Sequence, residues 1–156
     1  MPTYNAGYRD DQLIHVRKTV AFTGAAGLGA GPGTVALFTT TGVVMLKEMS
    51  IRCTETLVTV NGTFVMGTTN NTSSILGSVT PANVVTGNIL SDIDLTGSAG
   101  SGAAASAGFN ALGAYGELIT NESILLTIST AAVSDGTLIF DCWWKPVSAD
   151  GALVAA

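Results

Sequence analysis

The chain has 156 residues, of which 47% are hydrophobic and only 11% charged, and its formal net charge is −5. That apolar content excludes intrinsic disorder, and the length fits one domain. The charged fraction is less than half the ~25% of an average soluble domain. With six Lys and Arg scattered along the chain, it excludes the clustered basic surface that nucleic-acid binding requires. A chain this poor in charge either hides much of its surface in an assembly or presents a neutral surface of Ser, Thr, Asn and Gly.

In chain order, residues 1–12 are polar and aperiodic and read as an extended arm ahead of a folded domain spanning 13–156. Tyr4, Tyr8 and Arg9 are the arm's candidate partner-binding residues, because Tyr buries a large ring at small entropic cost and keeps a hydroxyl for hydrogen bonding. From Leu13 the pattern has period two. Ile14, Val16, Val20 and Phe22 share one face, and His15, Arg17, Thr19 and Ala21 share the other. That is the signature of a half-buried strand, with Lys18 interrupting the apolar side. Residues 24–33 are Gly-rich and read as a flexible connection; residues 34–40 form a short β-prone segment around Val35, Leu37 and Phe38. Alternation returns over 43–54, with Met49, Ile51 and Cys53 set against Glu48, Ser50 and Arg52.

Residues 57–68 are β-branched and apolar except at Asn61-Gly62, which predicts either a hairpin or a bulge within one long strand, the bulge being preferred. A polar turn at 70–74 and a weak strand over 74–79 follow. Residues 81–94 offer Val84, Val85, Ile89, Leu90 and Ile93 as core candidates. Residues 96–108 are almost wholly Gly, Ala and Ser and read as a surface loop. Leu118 and Ile119 open another strand; Ile124, Leu126 and Ile128 then alternate with Leu125, Thr127 and Ser129. Asp135-Gly136 reads as a turn. The last strand, 137–145, points Leu138, Phe140, Cys142 and Trp144 inward and Ile139, Asp141, Trp143 and Lys145 outward, and Pro146 ends it. Trp143 is therefore a further candidate for partner binding. No stretch keeps helical periodicity. The predicted fold is all-β, a single-domain β-sandwich, jelly-roll-like, with an N-terminal arm and a Gly/Ala/Ser-rich loop.

Few residues are available for chemistry. The Gly-rich run 24–33 precedes a strand and is followed by no Lys-Ser/Thr pair, so it is no phosphate-binding loop. The one histidine, His15, occupies an outward strand position and reads as a surface or interface residue. Cys53 and Cys142 read as small apolar core residues, with a disulfide between them as the alternative. Asp92 and Asp94 are too sparse an acidic run for a calcium loop. No catalytic residue, cofactor or metal site is predicted. The first residues lack the basic start and apolar run of a secretory signal, and no apolar stretch approaches the ~18–20 residues of a membrane span. Synthesis in a cytoplasm, with no membrane association, is expected.

Three stretches carry a resemblance to a known class. They are Val16-Arg-Lys-Thr-Val-Ala-Phe-Thr-Gly24, Gly33-Thr-Val-Ala-Leu-Phe-Thr39 and the ending Ser134-Asp-Gly-Thr-Leu-Ile-Phe-Asp-Cys-Trp-Trp-Lys-Pro-Val-Ser-Ala-Asp-Gly-Ala-Leu153. Over both ends, and weakly from about Thr68 to Tyr115, the chain resembles small virion proteins encoded beside the capsid genes of tailed bacteriophages. The resemblance implies a non-enzymatic capsid decoration (cement) protein of β-sandwich or jelly-roll fold, located on the virion. Its implied partners are the major capsid protein and copies of itself, as a dimer or trimer. Some relatives of that look are head fibres or tail parts, so an adhesin contacting the host surface is the alternative.

Overall fold

The computed structural model describes residues 12–91 and 116–156. Tyr4, Tyr8, Arg9, Asp92, Ile93, Asp94 and the Gly/Ala/Ser-rich segment 96–108 lie outside the described residues. Among the described residues ten strands follow one another: β1 (Ile14–Ala21), β2 (Gly33–Thr41), β3 (Val43–Thr59), β4 (Thr63–Thr68), β5 (Leu76–Val79), β6 (Ile89–Ser91), β7 (Glu117–Thr120), β8 (Ser123–Ser129), β9 (Val133–Pro146) and β10 (Ala152–Ala155). A single 3-10 turn, Pro81–Asn83, interrupts them among the described residues. Two antiparallel sheets result. The first has the order β1-β9-β3-β6, with β7 also on β3; the second has the order β10-β2-β8-β4-β5.

With β7 and β10 set aside, the strands pair from the outside of the sequence inward: β1 with β9, β2 with β8, β3 with β6, β4 with β5. This nested pairing is shared alternately between two antiparallel sheets that form a single-domain β-sandwich, the class the strand pattern predicts. The two inner faces enclose one core. Phe38, Phe64, Phe140, Leu37, Leu46 and Met49 are among its largest fully buried side chains. Each buried aliphatic or aromatic side chain contributes roughly 1.5–3 kcal/mol by removal from water.

Period-two facing holds over residues 49–53 of β3 and in the inward set 138–144 of β9. Val20, Met49, Ile51, Cys53, Leu138, Phe140, Cys142 and Trp144 are buried, while the residues between them on β1 and β3 are exposed or half-buried. Lys18 sits on the inward side of β1, half-buried, and its Nζ reaches the rim to donate to the Ala156 carbonyl. Cys53 lies opposite Leu138, and Cys142 opposite Met49. The two cysteines are thus four positions apart along one ladder, about 13 Å at strand rise, beyond the ~7 Å Cα limit of a disulfide. The crosslink between them is therefore closed off, and both cysteines are buried outside any disulfide. Burial pushes the Cys53 thiol up, although its hydrogen bond to the Glu55 carbonyl works the other way.

Five expectations are corrected. Asn61-Gly62 makes neither a hairpin nor a bulge: β3 and β4 belong to different sheets, so the dipeptide turns the corner from one layer to the other. Asp135-Gly136 is not a turn but lies inside β9, where the register with β3 slips between Glu55 and Val58. Gly136 has φ 104° there, and a Cβ would sit 2.6 Å from the Thr56 carbonyl oxygen, so the residue serves a bulge. The run 24–33 is a tied-down turn. Leu28 and Ala30 donate to the Ala25 carbonyl, and Val133 donates to Gly29. Of the core candidates, Val84 is buried but Val85 and Ile89 are 41% and 54% exposed. Finally, Pro146 does end β9, yet the chain returns as an unpredicted strand, β10, on the edge of β2.

Candidate interaction face

The outer face of the first sheet is built by cross-strand register. On β1 and β9, His15 pairs with Trp143, and Arg17 with Asp141. On the other side of β9, Glu48 pairs with Trp143, and Ser50 with Asp141. Period-two alternation on three adjacent strands therefore brings together residues from positions 15–17, 48–50 and 141–143. Trp143, singled out from the sequence, is half-buried in this row. Its ring centroid lies 5.0 Å from that of His15 with the planes tilted by 33°, within the range of aromatic contacts.

Asp141 anchors the group. It points outward yet is 6% exposed, because β9 is flanked on both sides and the neighbouring side chains close over it. Its Oδ1 accepts from Arg17 Nε at 2.7 Å and from His15 Nε2 at 2.6 Å. Burial pushes this carboxyl up, but the hydrogen bonds and charge of Arg17 and His15 outweigh burial and hold it below the usual aspartate range. An ionised carboxylate only accepts. His15 must therefore donate from Nε2, which orients the ring that rests on Trp143.

One buried carboxylate thus sets the rotamers of an arginine, a histidine and, through the ring contact, a tryptophan. Trp and Arg are the residue types that dominate binding energy at interfaces. Holding them in place before contact removes part of the entropy cost of association. The exposed Arg17 and His15 keep the pairing weak as a source of fold stability; its effect is positional. Among the described residues, no three His, Cys, Asp or Glu side chains converge as a metal site. No helix among them is long and apolar enough to cross a membrane.

The sequence placed Trp143 outward but did not single out Asp141 or Arg17. The available signal was an Asp in the middle of an apolar strand, between Phe140 and Cys142, where Asp is disfavoured. Comparison with protein-family models, with curated proteins and with solved structures returns no match.

Proposed function

We propose that this chain is a non-enzymatic virion structural protein, a decoration protein that binds the outer surface of a tailed-phage capsid and stabilises it. The observation that carries the reading is the outer face of the first sheet, where Asp141 pre-sets Arg17, His15 and Trp143 on a rigid strand platform. Low charge and the terminal stretches that resemble phage virion proteins support the same reading. Such a protein acts by mass action: it binds the assembled shell and not free subunits, and so favours the shell. The major capsid protein is the partner, and the arm bearing Tyr4, Tyr8 and Arg9 extends the contact. No cofactor takes part.

Copy number in purified particles tests the assignment. A decoration protein is present at a stoichiometry set by the capsid lattice and rebinds undecorated heads when added back. A handful of copies per particle, or none on heads, would replace this reading with the fibre or tail adhesin. Trp143→Ala should lower head occupancy at a fixed concentration by about tenfold or more, the loss expected of a Trp hot spot. Unchanged occupancy would remove this face from the contact.

A further inference from the structure

We propose that Asn61-Gly62 is a self-modifying site, at which the folded chain converts Asn61 into a mixture of aspartate and isoaspartate. The Gly62 backbone nitrogen attacks Asn61 Cγ. The N–Cγ bond forms, the Cγ–Nδ2 bond breaks, and the departing Nδ2 group takes the proton from the Gly62 nitrogen and leaves as ammonia. Water then opens the cyclic imide at one carbonyl or the other, giving aspartate or isoaspartate. One water enters, one ammonia leaves, and no atom is oxidised or reduced.

The corner between β3 and β4 admits this attack. Asn61 is the only asparagine of the chain followed by glycine, and glycine has no Cβ to shield its nitrogen or restrict its φ. The Asn61 side chain is exposed and lies outside the strands. Among the described residues no hydrogen bond holds its carboxamide or the Gly62 N–H, so neither reacting group must first give up a partner. The other described asparagines, Asn70, Asn71, Asn83, Asn88 and Asn121, each precede a residue with a Cβ. Two of them are also pinned, for Asn88 Oδ1 accepts from Val85 N and Asn121 Oδ1 from Gly42 N.

Local packing decides what each product does. Thr130 Oγ1 donates to the Asn61 carbonyl at 2.8 Å, and a Cβ on Gly62 would lie 2.9 Å from the Ala131 carbonyl oxygen. The corner is thus packed closely on the β8–β9 connection. Aspartate keeps this backbone. Isoaspartate routes the main chain through the Asn61 Cβ, which adds a methylene between residues 61 and 62 and turns the carbonyl that Thr130 binds into a pendant carboxylate. Thr63 pairs with Ser129 immediately afterwards, so the added length falls where β4 joins its sheet. Either product also brings a negative charge at neutral pH. The connections that meet here, residues 22–33, 57–63 and 129–134, hold no charged residue, and Val60 beside the site is 84% exposed. Loss of ammonia makes the change one-way, so this uncharged end of the sandwich turns acidic with age. The proposal does not depend on what the outer face of the first sheet binds.

Peptide mapping by mass spectrometry tests it on the full chain, kept in mildly alkaline buffer with the fold followed by circular dichroism. Asn61 should gain the mass of an amide turned to an acid and appear as separate aspartate and isoaspartate peptides. The other described asparagines should stay unconverted until Asn61 is half gone. Its half-life in the folded chain should match that of the urea-unfolded chain within a few-fold, since no native hydrogen bond protects it. The rate should fall severalfold for each pH unit toward acid, because the attacking nitrogen must lose its proton. Asn61→Ser should develop no acidic form on isoelectric focusing over the same period. Asn61→Asp should melt with fresh wild type, whereas the isoaspartate fraction of aged chain should melt lower. Asn61 that stays intact in the folded chain while converting in urea overturns the proposal, as does an acidic form that persists in Asn61→Ser. A rate that does not fall toward acid overturns attack by the Gly62 nitrogen, and an isoaspartate form as stable as wild type overturns the account of the corner.

Discussion

Replacing Asp141 with Asn tests whether one carboxylate organises the outer face of the first sheet. Asn keeps the volume and one carbonyl acceptor but removes the negative charge that Arg17 Nε and His15 Nε2 share. A hydrogen bond to a charged group contributes roughly 1.5–3 kcal/mol where both partners are buried. Here the Arg17 and His15 side chains are 51% and 41% exposed, so each turns to water when the charge is gone, and surface screening reduces the loss. The expected cost at pH 7 is about 1–2 kcal/mol, or roughly 3–6 °C in melting temperature for a domain of this size. Because the folded carboxyl is held below its ordinary value of 3.8, its contribution is complete above that value and is lost as pH falls through the lower folded value. Thermal unfolding by circular dichroism, wild type beside Asp141→Asn, should therefore show a gap at pH 7 that narrows steadily below pH 3.8. A gap of the same size in strong acid, or none at neutral pH, would refute the charge-based account. Fluorescence of Trp143 should also change in the variant, since the His15 ring is no longer fixed against it.

Trp144→Ala should destabilise by about 3–5 kcal/mol through lost burial and a cavity, and Trp143→Ala by about 1 kcal/mol; equal losses in chemical denaturation would reverse the facing of β9. Trp144→Phe should cost less than about 1.5 kcal/mol, because the indole N–H of Trp144 is buried without a partner and its removal offsets part of the lost volume; a cost matching that of Trp144→Ala counts against this. Cys53 and Cys142 should each tolerate Ala at about 1–2 kcal/mol, and mass spectrometry of oxidant-treated, alkylated protein should find no bond between them within one chain. Gly136→Ala should cost about 2–3 kcal/mol, since φ is 104° and the Thr56 carbonyl blocks a Cβ; a neutral outcome in urea unfolding would dismiss the bulge as a constraint.

The facing of the central strands was legible because alternation is a local property. His15 and Arg17 against Val16 and Val20, or Trp143 against Trp144, follow from which side of a pleat each residue occupies. What joins what is not local. Asn61-Gly62 and Asp135-Gly136 carry the same turn chemistry, yet one turns a corner between layers and the other sits in the middle of a paired strand. The difference lies in the partner strand, which the local sequence does not contain. β10 was missed because Ala152-Leu153-Val154-Ala155 is short and weakly patterned; it becomes a strand by completing the edge of β2. Asp141 reads from the sequence as merely outward, because nothing in its own strand reveals that Arg17 and His15 stand across from it.

The nested pairing also bears on how the chain acquires its fold during synthesis. His15 and Asp141 are 126 residues apart in sequence, and among the described residues β1 pairs with β9 alone. A growing chain thus carries a half-apolar β1 without this partner until β9 has left the ribosome. The innermost pair, β4 with β5, closes over a short turn and has its partner early. Outer pairs must close progressively longer loops, each at rising entropic cost. Folding dominated by such distant contacts falls in the millisecond-to-second range. In the interval, the open edge and apolar face of β1 are the part of the molecule most prone to pair with a neighbouring unfinished chain. The charges of Arg17 and Lys18, placed in the middle of that strand, oppose such pairing before either has found its final partner.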